Sequence, residues 1–249
     1  MGWHKDSLIC EHLNVGILPI MACLSERGAA DMNVSAFEGN FIFHNKRLAW
    51  NVNYFGLPVL LTKEGMRNDG IQSYVISPVD EQNKFSKTFL NCTCVVVAGQ
   101  DTETGENISF MSHEDPKYFQ KHDWENFMRD FRASLYEVKN RCVSGTIDAV
   151  IGGGNFFTHI WKEEIEKQFR DDYRKVVYAL AWKISAILGF APVIITGPKT
   201  VKGEEHIFYE NEHRRLYIFR KKVGDVSSES YTPKMYFKQE RKWKEPLLK

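Results

Sequence analysis

Apolar positions in the second half of the chain repeat with two periods. Trp124, Phe127, Met128, Phe131, Leu135, Val138 and Cys142 recur at three- and four-residue intervals, which predicts an amphipathic helix with one buried stripe. Asp115-Pro116 supplies an N-cap and a first-turn proline for it. A second helix is predicted where Ile165, Phe169, Tyr173, Val176, Val177, Leu180, Ile184, Ile187 and Leu188 share a face, with Gly189 as its stop. Short apolar runs predict strands at Thr88–Gly99, Asn107–His113, Thr146–Ile151, 192–196, 206–209 and 215–219, with Asn211-Glu-His213 turning the last two into a hairpin. Before residue 84 the pattern weakens. There Phe41-Ile-Phe-His, Pro58-Val-Leu-Leu and Ser73-Tyr-Val-Ile read as short strands, and Gly39-Asn40, Asn68-Asp-Gly70 and Pro78-Val-Asp80 as turns. Strands with two long helices predict an α/β (α+β) fold, a β-sandwich or mixed sheets flanked by the helices.

The 249 residues suffice for one large domain with an extension. The expected division is an N-terminal extension packed on the core (1–83), a central domain (84–222) and a basic tail (223–249). Lys+Arg 33 against Asp+Glu 32 leaves no basic excess, which argues against a nucleic-acid binder. The chain has no apolar run long enough to span a membrane. Asp6 and Glu11 spoil the basic start that a signal peptide would need before Val15–Leu24. The five cysteines, Cys10, Cys23, Cys92, Cys94 and Cys142, are sparse and odd in number, so free thiols in a reducing, cytoplasmic setting are expected. Cys92-x-Cys94 is not zinc spacing, and neither a metal nor another cofactor is expected.

The candidate chemistry lies in Thr88-Phe-Leu-Asn-Cys-Thr-Cys94-Val-Val-Val-Ala-Gly99, the polar run Gln100–Glu106 and the return Asn107–His113. An antiparallel hairpin centred between Glu103 and Thr104 sets Gly99 opposite Ile108, Val97 opposite Phe110, Val95 opposite Ser112 and Cys94 opposite His113. Opposed side chains share a face with Cβ atoms about 5 Å apart. A thiol beside an imidazole is the minimal nucleophile–base pair for acyl transfer, and an imidazolium there would lower the thiol pKa. Cys92 would face Glu114 or Asp115, whose carboxylates would raise its pKa and blunt it. Cys142, on the helical stripe, is expected to be a packed structural thiol. Gly152-Gly-Gly154-Asn155 lacks a nucleotide-binding pattern and reads as a tight turn near the site.

These motifs resemble the chemotaxis receptor glutamine deamidases (CheD family). Thr88, Cys94 and Val95 match the family's Thr-x-Gly-Leu-Gly-Ser-Cys-Val segment, and His113 lies nineteen residues on, where the family has its histidine. Val150-Ile-Gly-Gly-Gly-Asn-Phe-Phe157 and the closing strands are similar to later family segments, so the likeness covers residues 84 to 222. The same Cys–His core occurs in toxin deamidases of the cytotoxic necrotizing factor and Burkholderia lethal factor types. The sequence departs from the family in having Cys92-Thr93 before the nucleophile and Pro116 one residue early, and it lacks an evident Arg-Asn pair.

The resemblance implies a protein-glutamine deamidase, a toxin or effector without a conventional signal peptide, acting on a protein that presents an exposed Gln. Cys94 would be the nucleophile, His113 the base and Thr88 the residue orienting His113, with backbone N–H groups near Cys94 holding the oxyanion. The alternatives are another thiol acyl-transferase or cysteine protease, and a non-catalytic binding module on the same fold.

Overall fold

The computed structural model describes residues 32–38, 40–41, 49–52, 66–68, 74–89, 92–116, 124–153, 163–195, 203–222 and 230–231. Its strands are β1 (Asn33–Glu38), β2 (Asn40–Phe41), β3 (Ala49–Asn51), β4 (Arg67–Asn68), β5 (Tyr74–Ile76), β6 (Asn83–Phe89), β7 (Thr93–Gln100), β8 (Asn107–Glu114), β9 (Asp148–Gly153), β10 (Val193–Ile194), β11 (Gly203–Glu210), β12 (Arg215–Lys222) and β13 (Ser230–Tyr231). Its two long helices are α1 (Trp124–Arg141) and α2 (Glu163–Leu188).

The strands form two mixed sheets and a small pair. One sheet runs β10-β9-β7-β8-β5-β4, the other β1-β12-β11-β6-β3, and β13 pairs with β2. Strands from before residue 84 enter both large sheets: β1 lies parallel to β12, β3 parallel to β6, and β5 antiparallel to β8. The α+β class expected from the sequence is present. The residues 58–61 lie outside the described residues, and so do most of the run from Phe41 and the Asp69-Gly70 part of a proposed turn. Asn40, expected in a turn, opens β2.

Alternation along β7 and β8 divides the interior in two. Val95, Val97, Ile108 and Phe110 face the helices and pack with Phe127, Phe131 and Leu135 of α1 and Val177, Leu180 and Ile184 of α2. Cys94, Val96, Ala98 and Met111 face the other way and pack with Ile207, Tyr209, Leu216 and Ile218 of the second sheet. The order of layers is therefore helices, six-stranded sheet, five-stranded sheet. Each fully buried Phe or Leu contributes about 1.5–3 kcal/mol by leaving water. Helix α1 keeps one buried stripe, as its spacing predicts, and α2 ends at Gly189, whose φ of 83° suits a residue without Cβ.

Two expectations from the sequence are corrected. The run Thr88–Gly99 is not one strand: β6 ends at Phe89 in the five-stranded sheet and β7 begins at Thr93 in the six-stranded sheet. Gly152 and Gly153 do not end the preceding strand but complete β9, which starts only at Asp148.

At the hairpin end of β7, charge pairs tie the layers together. Arg141 of α1 donates to Asp101 Oδ2 at 2.8 and 3.1 Å. Arg214, in the β11–β12 turn with φ 52°, donates to Asp148 Oδ2 at 2.6 Å, joining the two sheets. On the five-stranded sheet the buried Lys84 reaches Asp80 Oδ1 at 2.6 Å.

Candidate active site

The opposite end of the sandwich gathers the ends of five strands. Here β6, β8 and β9 finish and β7 and β11 begin, because their connections are antiparallel. The β7–β8 register is the one the hairpin centre predicts. Cys94 stands opposite His113, Val95 opposite Ser112, Val97 opposite Phe110 and Gly99 opposite Ile108. Asp101–Glu106 make the polar turn, with Asp101 Oδ1 accepting from the Glu103 amide at 2.8 Å, a side-chain cap that holds the hairpin centre.

Cys94 and His113 both face the five-stranded sheet and are 1% and 0% exposed. The His113 ring stacks on Phe89 of β6, with centroids 4.0 Å apart. Its Nδ1 lies 2.7 Å from Ser86 Oγ. The Ser86 hydroxyl donates to the Val52 carbonyl, so its oxygen must accept from His113, and Nδ1 carries the ring proton. In the neutral ring Nε2 then holds the lone pair, which is the tautomer a base needs. His113 Nε2 makes no hydrogen bond to Cys94 Sγ.

Burial sets the protonation of this pair. It holds the His113 imidazole down to about 3, against a smaller opposing contribution from the Val52 backbone. It also pushes the Cys94 thiol well above its ordinary value, and the Glu114 and Glu205 carboxylates push the same way. The expectation that an imidazolium lowers the thiol is thereby corrected, since in this closed arrangement the pair is a neutral thiol and a neutral imidazole. Glu114, one of the two carboxylates expected to act on Cys92, bears on Cys94. Cys92 precedes β7, is 1% exposed, and sits in the inter-sheet core.

Glu114 lies on the helix-facing side, opposite Thr93, whose Oγ1 donates to its Oε1 at 2.8 Å. Burial raises this carboxyl to about 8, against the hydrogen bonds from Ser112 and Thr93. Its Oε2 has no hydrogen-bond partner among the described residues.

Gly152 pairs with Cys94 and Gly153 with Thr93. A Cβ on Gly153, where φ is 90°, would meet the Cys92 carbonyl oxygen at 2.4 Å. Gly152 and Gly153 thus let backbone pass close to Cys92 and Cys94. A Cβ on Gly152 would come within 3.3 Å of Ile207 Cδ1 of the facing sheet. Because β7 is paired on both sides from Thr93 to Ala98, the Cys94 amide is committed to the sheet. Of the backbone N–H groups near Cys94 expected to hold an oxyanion, its own amide is thus taken up by strand pairing.

Thr88 falls where β6 bulges. Between the pairs Glu205–Phe89 and Ile207–Ser86, β6 advances one residue more than β11. The extra residue turns Phe89 inward, where simple alternation from Lys84 and Ser86 would place Thr88. The side chain of Thr88 lies outside the described residues. Ser86, which the sequence reading missed, is the residue that fixes the Nδ1 proton. Its only signal was its place two residues before Thr88 in the same alternation.

Cys142 is buried at the far end, with its thiol raised by burial to about 11. His206 is buried, and His213 is exposed 3.5 Å from Glu210 Oε1. His159, Cys10 and Cys23 lie outside the described residues. No three His, Cys, Asp or Glu residues cluster to hold a metal ion among the described residues, and no described helix is long and apolar enough to cross a membrane. No protein-family model matches the chain, and no curated protein matches its sequence.

Proposed function

We propose that the chain is a thiol-dependent amidohydrolase that converts a glutamine on a protein target to glutamate. The observation that supports it is the alignment of three residues: Cys94 opposite His113, with Ser86 holding the Nδ1 proton so that Nε2 is the basic nitrogen. The likeness of Thr88, Cys94 and His113 to the CheD family and the related toxin deamidases supports the same chemistry, with Thr88 as a second orienting group.

Cys94 Sγ attacks the carboxamide carbon as its proton passes to His113 Nε2. The imidazolium returns that proton to the nitrogen, and ammonia leaves a thioester. His113 then takes a proton from water, which attacks the thioester, releasing glutamate and restoring the thiol. Because Cys94 and His113 are sealed, the target side chain reaches Sγ only when the strand ends at this pole part. Opening also hydrates the imidazole and restores its basicity. The free thiols of Cys92, Cys94 and Cys142 fit a reducing compartment such as the cytoplasm, including that of a host cell.

Incubation with β-casein as a glutamine-rich probe tests this. Ammonia release with a gain of one mass unit at Gln, lost in Cys94→Ser, supports the proposal, and ammonia release retained in Cys94→Ser ends it. Peptide cleavage instead of the mass shift would favour a protease.

The complete burial of the pair and the raised thiol favour a second reading, a non-catalytic binding module in which Ser86, His113 and Cys94 are a polar inlay in the core. Under that reading iodoacetamide would label Cys94 no faster than Cys142.

A further inference from the structure

Helices α1 and α2 lie side by side over the six-stranded sheet, and Lys139 of α1 donates to the Ile187 carbonyl of α2 at 2.5 Å. Their inner stripes fill the core, so a polar outer face is what amphipathic helices would present. Yet Tyr136 of α1 and Tyr178 and Trp182 of α2 are 48%, 37% and 49% exposed. Among the described residues, the large apolar side chains left exposed are these three and Val143, just past the end of α1. Helical spacing sets Lys175, Tyr178, Trp182 and Ala186 along one ridge of α2, and Arg132 and Tyr136 along one of α1.

The charges on this half of the helical layer are nearly all of one sign. From Arg132 to Arg141 and from Arg174 to Leu188 there are six cations and one carboxylate, Glu137. Glu137 is held by Arg67 and Arg141. Asp171 and Asp172, one turn earlier, approach Arg174 and Lys175 only at 3.7 and 3.9 Å. Lys183 Nζ stands 4.9 Å from the Trp182 ring centroid, so cation and ring share the surface. The helix dipole accounts for cations in a last turn, but not for exposed rings among them. In a chain with 33 Lys and Arg against 32 Asp and Glu, this is a local concentration of positive charge.

Rings set among cations suit an anionic bilayer surface. Trp and Tyr sink an apolar body to headgroup level and keep a polar tip wet, while Lys and Arg meet the lipid anions. A second copy of the chain would set like charge against like. The centre of a protein interface is poor in lysine, whereas Lys139, Lys175 and Lys183 stand among the rings here. We infer that the outer face of α1 and α2, from Arg132 and Arg174 onwards, docks on an anionic lipid surface. Trp182, Tyr178 and Tyr136 enter the headgroup layer and the cations around them bind the lipid anions. The helices lie on the surface and do not cross it, as no described helix is long and apolar enough to span a membrane. This is independent of the amidohydrolase reading.

Flotation of the full chain with lipid vesicles tests it. The chain should rise with phosphatidylcholine vesicles that contain phosphatidylserine, and not with phosphatidylcholine alone. Binding should vanish in about 1 M salt, where the screening length falls to about 3 Å. Arg132→Gln and Lys175→Gln should each weaken it by about five-fold, the share of one cation near such a surface. Trp182→Ala, at an exposed position, should weaken it without a large shift in thermal unfolding. No flotation at low salt overturns the inference. So does flotation that all these variants leave unchanged, which would assign the contact to another surface such as the basic run 234–249. Capture on immobilised poly-glutamate or on a single-stranded oligonucleotide, without flotation, would replace the lipid by an acidic protein or a nucleic acid and overturns it too. The Arg132 and Lys175 variants decide the matter even if Trp182→Ala fails to fold.

Discussion

Ser86 and His113, on strands of different sheets, meet across the inter-sheet core at 2.7 Å. The contact links the proposed catalytic base to the packing of the two sheets, because Ser86 is itself tied to Val52 beyond β3. Any change that separates the sheets also frees the imidazole to rotate.

Ser86→Ala removes the buried hydroxyl that bridges His113 Nδ1 and the Val52 carbonyl. It should lower stability by about 1–3 kcal/mol, measured by urea unfolding, and slow iodoacetamide labelling of Cys94 relative to Cys142. A loss of stability with an unchanged Cys94 rate would make Ser86 structural only.

Gly153 and Gly189 both have positive φ, 90° and 83°. A Cβ on Gly189 meets nothing within 4 Å, whereas one on Gly153 meets the Cys92 oxygen at 2.4 Å. Gly189→Ala should therefore cost only the conformational strain, about 1–2 kcal/mol. Gly153→Ala should cost clearly more, and thermal melts of the two variants compare them directly.

The Arg214–Asp148 pair has side chains 11% and 0% exposed. Arg214→Met alone strands a buried carboxylate and should cost about 3–5 kcal/mol. Adding Asp148→Leu removes that stranded charge and should recover part of the loss. Equal stability of the single and double variants would show that the charge is not the cause.

Two buried groups give stability opposite pH slopes. His113, held down to about 3 from 6.5, binds fewer protons folded than unfolded, so stability present above 6.5 is lost as pH falls towards 3. Glu114, raised from 4.5 to about 8, binds more protons folded, so stability present below 4.5 is lost as pH rises towards 8. The two slopes oppose each other between 4.5 and 6.5, giving a plateau. Each flank should approach about 1.4 kcal/mol per pH unit. Glu114→Gln should flatten the alkaline flank and His113→Gln the acidic one, as read from urea midpoints across pH.

Local pattern carried much of this protein. The apolar stripes of α1 and α2 needed only three- and four-residue spacing, because a helix presents one face to one core. The β7–β8 register followed from a polar turn and strict alternation, because a slip of one residue would turn Cys94, Val96 and Ala98 towards the helices. The division between β6 and β7 was not legible, since Phe89-Leu-Asn-Cys92 carries no glycine or proline to mark where the chain changes sheets. The bulge that turns Phe89 inward is set by pairing with β11, more than a hundred residues away. Protonation was decided last of all. Adjacency of Cys94 and His113 along a hairpin suggested an ion pair, and closure by the second sheet removes the water that an ion pair would need. A pairing rule acts between neighbours on two strands, whereas desolvation depends on everything packed around them.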